Sequence, residues 1–136
     1  MTAILNRPLS SSTDALLRFA LRLDATLTAL CGLLGVIAAD PLSRLTGLSP
    51  TTEWMIGAGF VAYGAIVYGL AAVPDLLVPG IAVIAGNVLF TMAVVVAAAA
   101  GSPPLTEFGV VSTLATGVFT LFMAYLQYLG VRRIRA

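Results

Sequence analysis

Four long apolar stretches separated by short polar connections organise this chain. They run over about residues 17–39, 54–72, 76–100 and 108–131. The last three carry no charge inside them, and at about 1.5 Å per residue each is long enough to cross a hydrocarbon core of about 30 Å. The first begins with Arg18, Arg22 and Asp24, and its apolar part from Leu23 to Ala39 rises roughly 25 Å. Four transmembrane helices in an all-α bundle with short loops is the fold this pattern predicts.

The connections support that division. Residues 1–12 (MTAILNRPLSSS) form a polar tail, read as cytoplasmic, and residues 13–136 form one membrane domain. Ser12, Thr13 or Asp14 can cap the first helix. Asp40 to Leu48 offers a cap, a proline at the first helical position and a terminal Gly47, the pattern of a short interfacial helix. Ser49-Pro50 restarts the chain, Glu53 suits a helix N-terminus, and Trp54 suits a headgroup boundary. Val73-Pro74-Asp75 and Gly101-Ser102-Pro103-Pro104 are turns. The first stretch, ending near Ala38, also has the outline of a signal peptide. The long segment before it and its small residues at helix-packing spacing favour a retained helix.

Composition sharpens the picture. With 60% hydrophobic residues, 10% charged residues and a mean hydropathy of +1.04, the 136-residue chain carries more apolar surface than a small soluble domain can hide. The absence of His removes Ser-His-Asp, HExxH zinc and His-ligated haem chemistry, and a single Cys31 cannot form a CxxC pair. Cys31 reads as a buried packing residue. Every basic residue is Arg, so Schiff-base and phosphate-loop lysines are excluded. No metal site, cofactor or catalytic constellation is evident, and a net charge of +1 gives nucleic acid no electrostatic footing.

Charge also gives an orientation. Arg7, Arg18, Arg22, Arg132, Arg133 and Arg135 fall on one side of a four-span topology and Arg44 alone on the other, so both termini should be cytoplasmic.

Helices in lipid associate through close contact at small residues and interhelical hydrogen bonds, so small-residue stripes should mark inner faces. The first helix offers Ala25, Thr28, Gly32, Gly35 and Ala39, and the second Ala58, Ala62, Ala65, Gly69 and Ala72. The third offers Ala82, Gly86, Ala93, Ala97 and Ala100. In the fourth, Gly109, Ser112, Thr113, Thr116, Gly117, Thr120 and Ala124 share a face opposite Val111, Leu114, Val118, Leu121 and Tyr125. This spacing predicts left-handed packing.

Polar residues inside the spans are few. Asp24 falls in the inner leaflet, on one face with Thr28 and Gly35. It reads either as an ionisable functional group or as the partner of an arginine such as Arg22 or Arg132. Asn87, near the middle of the third helix with Thr91 one turn on, reads as interhelical glue or as a ligand contact. Tyr68, Tyr125, Gln127 and Tyr128 fall at depths similar to Asp24 and either join it in a polar pocket or belong to the aromatic belt. Asp24, Asn87, Tyr68 and Gln127 are the candidate ligand or proton site.

The LRLDATLTALCGLLGVIAADPLSRLTGL opening, Asn87 within AGNVLF, the PLTEFGV entry to the fourth helix and the AYLQYLGVRR ending resemble small four-helix membrane proteins of actinobacteria and other bacteria. DoxX-like membrane proteins are similar in outline. The resemblance implies the fold and a multi-pass protein of the bacterial inner membrane, without an activity. Two functions follow as expectations. One is a non-catalytic accessory, assembly or self-associating component, with the lipid bilayer and a larger membrane complex or homo-oligomer as partners. The other is a small proton-coupled transporter or lipophile-binding protein using Asp24, similar in plan to small multidrug resistance transporters.

Overall fold

The computed structural model describes residues 13–101 and 103–135 and is all-helical there. The tail read at 1–12 lies outside the described residues. Five helices follow one another: α1 Ala15–Ile37, α2 Ala39–Thr46, α3 Pro50–Leu70, α4 Leu77–Ala100 and α5 Glu107–Arg135. All but α2 are long and apolar enough to cross a membrane. α3 starts at Pro50 rather than near Trp54, because Ser49 caps it: the Ser49 hydroxyl oxygen accepts the Thr52 N–H at 3.1 Å, with Pro50 at the first helical position. α5 continues to Arg135, its last turn carrying Arg132, Arg133 and Arg135.

α2 is the expected short helix, closed by Gly47 at φ 88°. Its Thr46 is buried and fixes it in place: the Thr46 hydroxyl donates to Glu53 Oε1 in the first turn of α3, and the Thr46 carbonyl accepts the Thr106 N–H at 2.9 Å. Thr106 in turn caps α5 by accepting the Gly109 N–H at 3.0 Å. One end of the bundle is thereby stitched together.

The long helices form two antiparallel pairs, α1 with α3 and α4 with α5, docked mainly through α1 against α5. In the first pair the backbones nearly touch. A Cβ on Gly57 would lie 2.6 Å from the Gly32 carbonyl oxygen and 2.8 Å from the Val36 nitrogen, and one on Gly64 would lie 2.6 Å from the Ala25 oxygen. Between the pairs, Gly130 of α5 lies against the backbone of Leu17. An apolar core of Leu17, Leu21, Ala25, Val67, Ala71, Leu76, Val83 and Val131 fills the arginine-bearing end.

The small-residue stripes divide at this point. Gly32 and Gly35 of α1 face Gly57, Gly109 faces the Thr46 carbonyl, Gly117 faces Val94, and Thr113 is half-buried. The bulky α5 series Val111, Leu114, Val118, Leu121 and Tyr125 is exposed.

Ala62 and Gly69 of α3 and Gly86 of α4, expected inside, are instead exposed, and Gly69 and Gly86 have open space where a Cβ would be. The inner face of α3 is Glu53, Gly57, Gly64 and Val67, and that of α4 is Gly80, Val83 and Asn87. The rotation of α3 is set by the glycines that let it approach α1, and that of α4 by Asn87, which must find partners. Alanine, being small enough for either side, decides neither. Cys31 is likewise exposed rather than buried, because Gly32 beside it takes the contact position.

Candidate functional site

Asp24 is fully buried where the two helix pairs meet, and one side chain from each of the other long helices reaches it. Tyr63 of α3 donates its hydroxyl to Asp24 Oδ2 at 2.9 Å, Asn87 of α4 donates Nδ2 at 2.9 Å, and Gln127 of α5 donates Nε2 at 2.9 Å. The other carboxylate oxygen, Oδ1, accepts the Thr28 hydroxyl at 3.1 Å from one turn further along α1. The second N–H of Asn87 goes to Gln127 Oε1 at 3.0 Å. An ionised carboxylate offers about four acceptor positions, two on each oxygen, and here three donors converge on Oδ2 while Oδ1 takes one.

The cluster lies nine residues into α1 and eight residues before the end of α5, hence about 12–14 Å from the arginine-bearing end. Between it and that end stands the apolar core around Leu17, Leu21, Val67 and Leu76. On the other side the polar character continues. Thr91, one turn beyond Asn87, donates to the Asn87 backbone carbonyl at 2.9 Å and lies 2.6 Å from the hydroxyl of Thr120. Along α5, Thr120, Thr116, Thr113 and Ser112 continue toward Thr106, with Thr120 buried and the others half-buried.

The arginine partner expected for Asp24 is replaced by neutral donors. Arg18 turns away, donating to the carbonyls of Ala71 and Val73 and pairing with Asp14 at 2.9 Å. Arg22, Arg132, Arg133 and Arg135 are exposed, and Arg132 sits over the Tyr128 ring at 5.9 Å. The physical reason is position: Asp24 faces inward between helices, while arginines at this depth extend outward to the interface.

Of the candidate residues, the structure brings Asp24, Asn87 and Gln127 together and leaves Tyr68 out. Tyr68 is 54% exposed on the outer face of α3, as Tyr125 and Tyr128 are on α5. The tyrosine that serves the site is Tyr63, which the sequence reading passed over. Its signal was available: Tyr63 neighbours Gly64, the glycine that seats α3 on α1. A second buried carboxylate, Glu53, belongs to the opposite end of the bundle with Thr46. Among the described residues no group of His, Cys, Asp or Glu has the makings of a metal site.

No protein-family model, no curated protein and no solved structure matches the chain.

Proposed function

We propose that this multi-pass membrane protein is a non-catalytic component of a bacterial inner membrane that works by assembly, with a second copy or within a larger membrane complex. The observation that carries this reading is the outer surface of α4. Only Gly80, Val83 and Asn87 of its 24 residues are buried, and Gly86 lies on its exposed side with open space around it. Ala62 and Gly69 present a similar small-residue surface on α3. In lipid, where apolar area alone does not hold helices together, small residues permit the close approach that a partner helix needs.

Both termini lie on the cytoplasmic side in this reading, since six of the seven arginines belong to that side of the four-span topology. A reporter active only in the cytoplasm should work when fused after Ala136, and activity of an external reporter there would reverse the orientation. Assembly is tested by placing a photo-cross-linking residue at Leu89, an exposed position on α4. A discrete protein adduct in native membranes is expected. Adducts with lipid alone would overturn the reading.

A further inference from the structure

We infer that Asp24 is a reversible proton-binding site that exchanges with the aqueous phase on the Arg44 side of the membrane and is closed to the arginine-rich side. This goes beyond the assembly reading and does not depend on it.

The two carboxylate oxygens are not equivalent. Oδ2 takes three donors, from Tyr63, Asn87 and Gln127, and has no room for a proton of its own. Oδ1 takes one, the hydroxyl of Thr28. Of the four donors, the two hydroxyls can also accept while turning their own protons elsewhere, that of Thr28 to the carbonyl one turn back, as helical threonines do, and that of Tyr63 to Asn87 Oδ1, which lies 3.4 Å from it. A proton arriving at Oδ1 therefore finds an acceptor by rotation of a single O–H bond. Every hydrogen bond to Oδ2 survives. Charged and neutral forms are both satisfied within the same packing, which a buried carboxylate paired with arginine would not allow.

The groups facing Asp24 are Thr28 on its own helix, Tyr63 from α3, Asn87 from α4 and Gln127 from α5, and none is a cation. The negative form is thus held by neutral dipoles alone, in a setting where an unpaired charge is expensive. Protonation removes that charge.

Direction follows from what lies above and below. Thr28 sits on the Arg44 side of Asp24, so Oδ1 is the oxygen turned that way. On that side also lie the touching hydroxyls of Thr91 and Thr120 and the half-buried Thr116, Thr113 and Ser112, groups that both donate and accept; those of Thr91, Ser112, Thr116 and Thr120 rest on helix carbonyls and relay a proton by turning away from them. On the arginine-rich side Leu17, Leu21, Val67, Leu76 and Val131 offer no such group.

The test is infrared spectroscopy of the full chain reconstituted in one orientation in liposomes. A protonated-carboxyl C=O band should appear as the pH on the Arg44 side is lowered and vanish as it is raised, and it should be missing in Asp24→Asn. That variant keeps the packing, because its carbonyl can take the three donors and its amide can donate to Thr28. Changing the pH on the arginine-rich side alone should leave the band unmoved. Thr91→Val combined with Thr120→Val should keep the band but slow its response on the order of tenfold, equivalent to about 1.4 kcal/mol of barrier. A carboxyl band that never changes with pH overturns the site. A response to the arginine-rich side, or one of unchanged speed in the double valine variant, overturns the direction of access.

Discussion

Gln127 Nε2 donates to Asp24 Oδ2 across 2.9 Å, joining the first long helix to the last over 103 residues of sequence. The bond ties one helix pair to the other, and its two partners should respond differently to substitution. Gln127→Leu keeps the bulk but removes a donor from the buried carboxylate and an acceptor from Asn87, a loss of about 1.5–3 kcal/mol for bonds to a charged group. Asp24→Asn preserves the pattern and should cost less than about 1 kcal/mol, near the small average for neutral interhelical bonds in membranes. Asp24→Leu takes the carboxylate away from four donors, two of them on the buried Asn87 and Gln127, and should cost about 3 kcal/mol or more. Thermal unfolding in detergent gives the order, and Asp24→Asn matching Asp24→Leu would contradict it.

Gly57 and Gly59 are two residues apart on opposite sides of α3. A Cβ at Gly57 meets backbone atoms of Gly32 and Val36, whereas one at Gly59 meets nothing within 4 Å. Backbone cannot rotate away, so Gly57→Ala must push α1 and α3 apart, at a cost of about 1–3 kcal/mol. Gly59→Ala adds helix propensity at a lipid-facing position and should leave stability within about 0.5 kcal/mol. Equal loss in both variants would remove the close α1–α3 contact.

How much of this was legible in the sequence depended on contrast. Asp24, Asn87 and Gln127 stand out because a polar side chain in an apolar span must find a partner, but the sequence offered Arg22 and Arg132 to Asp24 as well, and only the packing of the helices selects the amides. The inner face of α5 was legible because its hydroxyls and glycines oppose Val, Leu and Tyr. On α3 the alanine stripe at Ala58, Ala62 and Ala65 ran one position out of phase with the glycines Gly57 and Gly64 that make contact. A rotation of about 100° per residue separates those readings, and Tyr68, singled out by its depth alone, falls on the outer face while Tyr63 reaches Asp24. α4 is rich in alanine and valine on all sides, so only Asn87 could reveal its rotation.

Arg18 holds the arginine-rich end of the bundle. Its guanidinium donates to the carbonyls of Ala71 and Val73, at the C-terminus of α3 where helix carbonyls lack partners, and also pairs with Asp14. The side chain is partly exposed, so screening reduces what these bonds contribute. Arg18→Ala should lower stability by about 1–2 kcal/mol. Arg18→Lys should recover only part, since one ammonium cannot reproduce the fork that reaches both carbonyls and Asp14. Full rescue by lysine in detergent unfolding would reduce the interaction to charge alone.

Tyr63 and Tyr68 supply the most direct comparison of the site with the belt around it. Each becomes phenylalanine by loss of one oxygen, and both lie in the second half of the same helix, so differences in bulk and propensity cancel. The Tyr63 hydroxyl donates to the Asp24 carboxylate at 2.9 Å, and its removal leaves Oδ2 with the two amide donors. The Tyr68 side chain is on the outer face, where its hydroxyl is free to meet headgroups or water. Tyr63→Phe should therefore cost about 1.5–3 kcal/mol, the range for a hydrogen bond to a charged group. If Asp24 is protonated under the conditions used, the loss should fall toward about 1 kcal/mol, because the bond is then between neutral groups. Tyr68→Phe should stay within about 0.5 kcal/mol at any pH. Measuring both variants at two pH values on the same detergent-solubilised protein separates these terms. A Tyr68→Phe loss equal to that of Tyr63→Phe would place the wrong tyrosine in the cluster.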